Sequence, residues 1–226
     1  MNPVSARLLS QQLAAPQFKE PADVVSWFGA MQSQDYRGMR WAVAMRTKNP
    51  SCRAFENAFN NGRIIRTHML RTTWQLVARK YFRSHGPATL EDFVWWSGLN
   101  IGECRKGMGL LGDELDVIRY KKQVYFLLQD ARTMGFRSGK VLLLPAFDEY
   151  LIGYKSRHVV LHPDHAPKAH NNSGIFYYVV ALDGEIIGNW RPLEADFGMS
   201  VFKDRMLLPE GPLQDEMRRF THFQQK

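Results

Sequence analysis

Cysteine is scarce in this chain of 226 residues: there are only two, Cys52 and Cys104, far apart. That excludes a disulfide framework and every thiolate metal knot, and it points to a reduced, cytoplasmic setting. Long apolar runs are also missing. The longest, such as Val141 to Leu144, are strand-sized, so no membrane span is expected. The opening MNPVSARLLSQQL lacks the basic start, apolar stretch and small-residue cleavage site of a secretory signal. There is no repeat of fixed period and no low-complexity tract. Apolar residues make up 45% and charged residues 23%, as in an ordinary soluble protein large enough for a sizeable core.

What is present is a lopsided charge. Residues 1–80 hold 12 Lys+Arg against 4 Asp+Glu, and residues 81–226 hold 18 of each, so the net +8 resides wholly at one end. A neutral body with one basic end reads as a protein that offers that end to a polyanion. The sequence pI near 9.6 suits nucleic acid, and also an acidic protein or an anionic surface. Lipid fits least, because the cations alternate with strand-type residues and form no basic amphipathic helix.

Helical signals dominate the first 62 residues. Ser5 is a candidate cap for a helix through Leu13, and Pro21 suits the first turn of a second, with Val24, Val25, Phe28 and Met31 on one stripe. A short helix is expected over Met39–Arg46, and another after Ser51 that Asn61-Gly62 ends. Ile64 to Val77 alternates and predicts a basic two-stranded ribbon, the winged-helix order. A second such unit follows. Thr89-Leu-Glu-Asp92 and Asn100-Ile-Gly-Glu103 are capping patterns, and Val117 to Leu128 alternates around Lys121-Lys122 as a wing hairpin. The remainder is mainly strand: Val141 to Ile152, Phe176 to Trp190 with an Asp183-Gly184 turn, and Val201 to Leu208, closed by a helix over Leu213–Phe223. The expected fold class is α+β, with tandem winged-helix units and a small β-rich C-terminal domain. Its parts are 1–79, 80–128 and 129–226.

Several motifs have plain explanations. Gly107-Met-Gly-Leu-Leu-Gly112 matches a dinucleotide fingerprint by letter but sits late in a helical pattern, not after a strand. His158, His162, His165 and His170 flank two prolines in a polar loop, too loose for a metal. Most of the six tryptophans fall on apolar faces. Asp148-Glu149 would point to opposite faces of a strand unless the chain turns there, and a structural pairing with Lys155 or Arg157 is the simpler reading. Gln32 and Gln34 are more suggestive. On a helix they would diverge by about 200°, but in an extended segment after the helix they share a face. Asp35-Tyr36-Arg37-Gly38 looks like a turn and favours that geometry. Glutamine is no general base, yet it both donates and accepts, and so aims a water or holds a base edge.

Three stretches, Gln32-Ser-Gln34-Asp-Tyr, Arg66-Thr-His-Met-Leu-Arg-Thr-Thr-Trp-Gln-Leu-Val77 and Pro145-Ala-Phe-Asp-Glu-Tyr-Leu-Ile-Gly-Tyr154, resemble in order those of the AlkZ/YcaQ-type winged-helix DNA glycosylases. Arg83-Ser-His-Gly-Pro-Ala-Thr89, Asp92-Phe-Val-Trp-Trp96 and Gly174-Ile-Phe-Tyr-Tyr-Val-Val180 look similar too. The resemblance implies that Gln32 and Gln34 are the catalytic pair. It implies removal of alkylated or crosslinked purines from DNA by hydrolysis of the N-glycosidic bond, with one activity and no metal or other cofactor. Arg37, Arg63, Arg66, His68, Arg71, Thr73 and Gln75 are the expected DNA contacts, Gln75 standing where the family often has His. The partner would be double-stranded DNA and the protein a cytoplasmic, nucleoid-associated monomer, with no membrane and no obligate protein partner. One departure is large. Leu76-Val-Ala78 runs almost directly into Lys80-Tyr-Phe-Arg-Ser, where the family has a further winged-helix unit, so a middle unit looks deleted. A non-catalytic winged-helix DNA-binding protein, or an inactive, internally deleted remnant, is the alternative.

Overall fold

The computed structural model describes residues 2–66, 74–131, 136–192, 197–202 and 208–225. Helix α1 (Pro3–Ser10) starts where Pro3 needs no N–H partner, and the Asn2 side chain accepts from Val4 N. The cap is thus Asn2, not Ser5. Helix α2 (Pro21–Phe28) ends at Gly29, whose φ of +80° a side chain would resist. Helix α3 (Tyr36–Ala44) begins at an Asp35 cap, so Asp35 to Gly38 is a helix start and not the expected turn. Helix α4 (Cys52–Asn60) has the expected Ser51 cap and Asn61-Gly62 end. These helices bury Val24, Phe28, Met39, Val43, Phe55, Ala58 and Ile64 in a core of their own.

The ribbon differs from expectation. Ile64–Arg66 are not strand, and Trp74–His85 forms helix α5, so Trp74 to Val77 are helical rather than extended. Downstream residues decide this. Ala78, Tyr81, Phe82 and His85 recur at helical spacing and are fully buried, and Arg79, Lys80 and Arg83 favour helix. Four alternating residues cannot outvote that stripe. Expected contact residues His68, Arg71 and Thr73 lie outside the described residues. Gln75 stands in α5, not on a strand facing a site.

After α5, Ala88 forms a single bridge to Phe126, followed by helices α6 (Leu90–Ser97) and α7 (Ile101–Gly109) and a hairpin of β1 (Leu115–Tyr120) with β2 (Gln123–Leu128). Helices followed by a hairpin is the element order read from the sequence for 80–128. Both capping boxes are present. Thr89→Ala removes the acceptor for Asp92 N, and by the usual worth of such caps it lowers stability by about 1 kcal/mol in urea denaturation. The hairpin turns on Lys121 and Lys122, both at positive φ, so the lysines adopt the mirror-image turn usually left to Asn-Gly. Gly107 to Gly112 is, as expected, the end of a helix.

The last part is a four-stranded antiparallel sheet in the order β3 (Val141–Leu144), β4 (Val179–Leu182), β5 (Glu185–Pro192), β6 (Phe197–Val201). Asp183-Gly184 makes the β4–β5 turn as expected. The apolar run after Leu144 is not all strand. It breaks at Phe147, which has a φ of +57°, and Glu149–Ile152 forms a short helix, α8. Helix α9 (Ala166–Ala169) lies in the stretch read as loop, and helix α10 (Glu210–Gln225) closes the chain. The sheet, α10 and α9 share one core with Leu8, Leu13, Trp41 and Met45 from the N-terminal helices. Trp41 and Trp190 are buried there, whereas Trp95 is half exposed. No described helix is long and apolar enough to cross a membrane. No three metal-binding side chains cluster among the described residues.

Candidate active site

Between Gly29 and the α3 cap at Asp35 the chain is irregular, and this short link carries both glutamines. Gln32 is half-buried and Gln34 exposed. They do not stand as equals. The Gln32 Oε1 accepts from Ser33 N at 2.9 Å, so its carbonyl serves its own backbone. The Gln34 amide has no partner among the described residues and is free to meet a ligand. Asp35 closes the link at both ends of its carboxylate. One oxygen accepts from Arg37 N, the other from the Tyr178 hydroxyl at 2.8 Å. Burial, reinforced by that bond to Asp35, pushes the Tyr178 phenol above the ordinary tyrosine range and keeps it a donor.

Cations flank the link. Arg66 donates from Nε and Nη2 to the Ser33 carbonyl at 3.1 and 2.8 Å, which sets its guanidinium on the residue between the two glutamines in sequence. Arg37 is exposed in the first turn of α3. Arg63 is also exposed and pairs loosely with Glu20 at 3.3 Å. Two large apolar side chains stand in the open here: Tyr36, 41% exposed, and Ile65, 76% exposed. The Tyr36 ring has Arg40 and Arg66 at 5.4 and 5.9 Å.

Behind the link lies a group that sequence reasoning assigned elsewhere. Asp148 and Glu149 do not pair with Lys155 or Arg157. Asp148 is bidentate to Arg46, at 2.7 and 2.8 Å, with both side chains essentially unexposed. Arg46 places its other N–H groups on the Gln11 carbonyl, the Gln11 side chain and the Ala42 carbonyl. Asp148 Oδ1 also caps α8 through Tyr150 N. Every polar atom of this buried pair is therefore satisfied. It fixes the turn at which Glu149 leaves the sheet. The Glu149 Oε1 then accepts from Gln32 N at 2.6 Å, and its Oε2 meets His85 Nε2 at 3.1 Å. His85 is fully buried. Tyr81 stacks on it at 4.7 Å, and Phe28 meets it edge-on at 5.4 Å. The sequence signals for Glu149 were its position after an apolar stretch and its place within the Pro145–Tyr154 run that resembles the family.

A family model described as DNA glycosylase AlkZ-like matches residues 25–80 and 77–201. The two matches overlap at 77–80. Over 147 residues the chain is 30% identical to the interstrand DNA cross-link repair glycosylase of Streptomyces sahachiroi, which takes in 62% of this chain and 40% of that protein. The match spans less than half the length of that curated relative. Among solved structures, the DNA glycosylase AlkZ of Streptomyces sahachiroi superposes with a TM-score of 0.82 at 17% identity, covering 97% of this chain and 95% of the other. That superposition speaks for the fold. With more than half of its residues inside the family model, the chain belongs to the DNA glycosylase AlkZ-like family.

Proposed function

We propose that this protein is a monofunctional DNA glycosylase that hydrolyses the N-glycosidic bond of alkylated or crosslinked purines in duplex DNA. The observation that carries the reading is the Gln32–Gln34 link itself. It places one free amide, Gln34, at a surface where Arg66 and Arg37 supply positive charge. A purine alkylated at N7 or N3 is already cationic, so it departs with the bond electrons without strong acid help. The sugar passes through an oxocarbenium-like state, and water adds at the vacated carbon. The protein has three tasks: to hold the damaged base, to aim the water, and to tolerate positive charge on the sugar. The Gln34 carbonyl suits the last two, because an oriented dipole costs nothing to reorganise as charge develops. Arg37, Arg63, Arg66 and Arg71, with His68, Thr73 and Gln75, are assigned to the DNA backbone. Contacts of that kind fix register without reading sequence. Action as a monomer in the cytoplasm, at the nucleoid, completes the proposal.

One rival is a non-catalytic DNA-binding protein, favoured by the Gln32 carbonyl being spent on its own backbone. One experiment separates them: incubate micromolar protein with N7-alkylated duplex, count abasic sites, and measure duplex affinity against salt. With one phosphate neutralised by each of the four arginines, log affinity falls against log salt with a slope of about −3.6, or roughly 150-fold between 50 and 200 mM. Abasic sites above the spontaneous rate support the glycosylase. Salt-sensitive binding without them leaves the rival standing. Binding indifferent to salt overturns both.

A further inference from the structure

We propose that Glu149 is the positioning residue of the Gln32–Gln34 link, aimed by His85. The catalytic half of this inference rests on the glycosylase reading; the structural half does not. Met31 packs against the helical core, and among the described residues the link has few other polar anchors. Its side-chain bonds are local, apart from Arg66 on Ser33 and Tyr178 on Asp35. The sole described bond to the Gln32 backbone N–H is the 2.6 Å contact from Glu149, a charge-assisted bond of the stronger class.

A carboxylate at the back of a surface link would normally be hydrated and free to rotate. Here it is not. Its side chain is 5% exposed, and His85, at 0%, occupies the second oxygen. His85 is held in turn by aromatic rings and by Ser84 Oγ against Nδ1 at 2.9 Å. The approach is tight: a Cβ on Gly153 would come within 2.8 Å of His85 Nε2 and 2.7 Å of the Glu149 carbonyl. Glycine at 153 is what lets the imidazole reach the carboxylate. The Asp148–Arg46 clamp fixes the backbone one residue earlier. Glu149 thus has one imidazole against one oxygen and one backbone N–H on the other. Asp92 and Arg7, from α6 and α1, act on Tyr81 and Tyr154 of the same ring cluster, and the Arg46–Asp148 pair lies one residue before Glu149.

A reacting group displaced by about an ångström loses on the order of 10²-fold in rate. A positioning residue therefore acts through geometry, and a side chain of the same shape should replace it. Glutamine at 149 keeps its carbonyl on the Gln32 N–H, and its amide donates to His85 Nε2 once the imidazole proton sits on Nδ1 against Ser84 Oγ. Alanine keeps neither. The test compares the native protein, Glu149→Gln and Glu149→Ala by two readouts. The first is hydrogen exchange of the Gln32 amide. We expect protection in the native protein and in Glu149→Gln, and exchange on the order of 10²-fold faster in Glu149→Ala. A Gln32 amide that exchanges freely in the native protein overturns the proposal, whether or not any variant folds well. The second is base release from N7-alkylated duplex. We expect kcat to fall on the order of 10²-fold in Glu149→Ala with duplex affinity within about 3-fold, and Glu149→Gln to recover within about 5-fold of native. If Glu149→Gln is as slow as Glu149→Ala, the charge and not the position matters, and the proposal fails. If no protein releases base but the exchange pattern holds, the glycosylase reading falls and the positioning assignment stands.

Discussion

Gln34→Ala is expected to cut base release from alkylated duplex on the order of 10²-fold or more, the scale on which a single oriented dipole at a developing charge contributes. Duplex affinity should stay within about 2-fold, because an exposed neutral amide makes no phosphate contact that salt would displace. Gln32→Ala is expected to lose less directly and more through disorder. Its carbonyl already accepts from Ser33 N, and its role runs through its backbone N–H, which alanine retains. The two variants therefore rank: Gln34→Ala is the slower, with kcat lowered and KM steady. Equal losses in both would mean that Gln32 turns outward in the DNA complex. Losses in neither would remove the link from the chemistry. Single-turnover base release, read beside duplex binding at one fixed salt, measures all of this.

Asp148→Ala should cause the largest loss of stability. It leaves the Arg46 guanidinium buried with two N–H groups unpaired and strips α8 of its cap. Breaking one side of a buried ion pair costs about 3–5 kcal/mol, and for a protein of this size the melting temperature then falls by roughly 10 °C. Removing both charges is a sharper probe. In Arg46→Met with Asp148→Leu no charge is stranded, so much of the stability returns. The helix cap does not return, and neither does the fixed exit angle of Glu149. Base release should stay depressed while the melting temperature recovers. A double variant that regains both would show that the clamp serves stability alone.

That separation reflects how the two regions are built. Arg46 and Asp148 are 102 positions apart, and Gln32 and Glu149 are 117 apart. No spacing rule connects them. Two amides two residues apart are by themselves a weak signal; the glutamines stood out through the family resemblance. Their inequality did not. Which amide is free and which is spent depends on where the backbone of Ser33 points, and that follows from anchors on Glu149, Arg66 and Tyr178.

The ribbon shows the opposite failure. Alternation over Trp74 to Val77 is a short-range pattern, and helix α5 overrode it because Ala78, Tyr81, Phe82 and His85 bury a stripe that only a helix can present. Asp148-Glu149 misled for a related reason. Read as strand, the pair must split across two faces. The left-handed Phe147 and the α8 cap turn the chain there, so one carboxylate serves the core and the next serves the site.

Sequence alone determined what is local: the Ser51, Thr89 and Asn100 caps, the Asp183-Gly184 turn, the order of the second helical unit and the basic end. Each depends on bonds among residues a few positions apart, and their side chains carry the signal. Tertiary structure decided where Glu149 points, what His85 is for and which glutamine is free. Those are convergences of distant segments, fixed by burial and by the need to satisfy every charge once water has been removed.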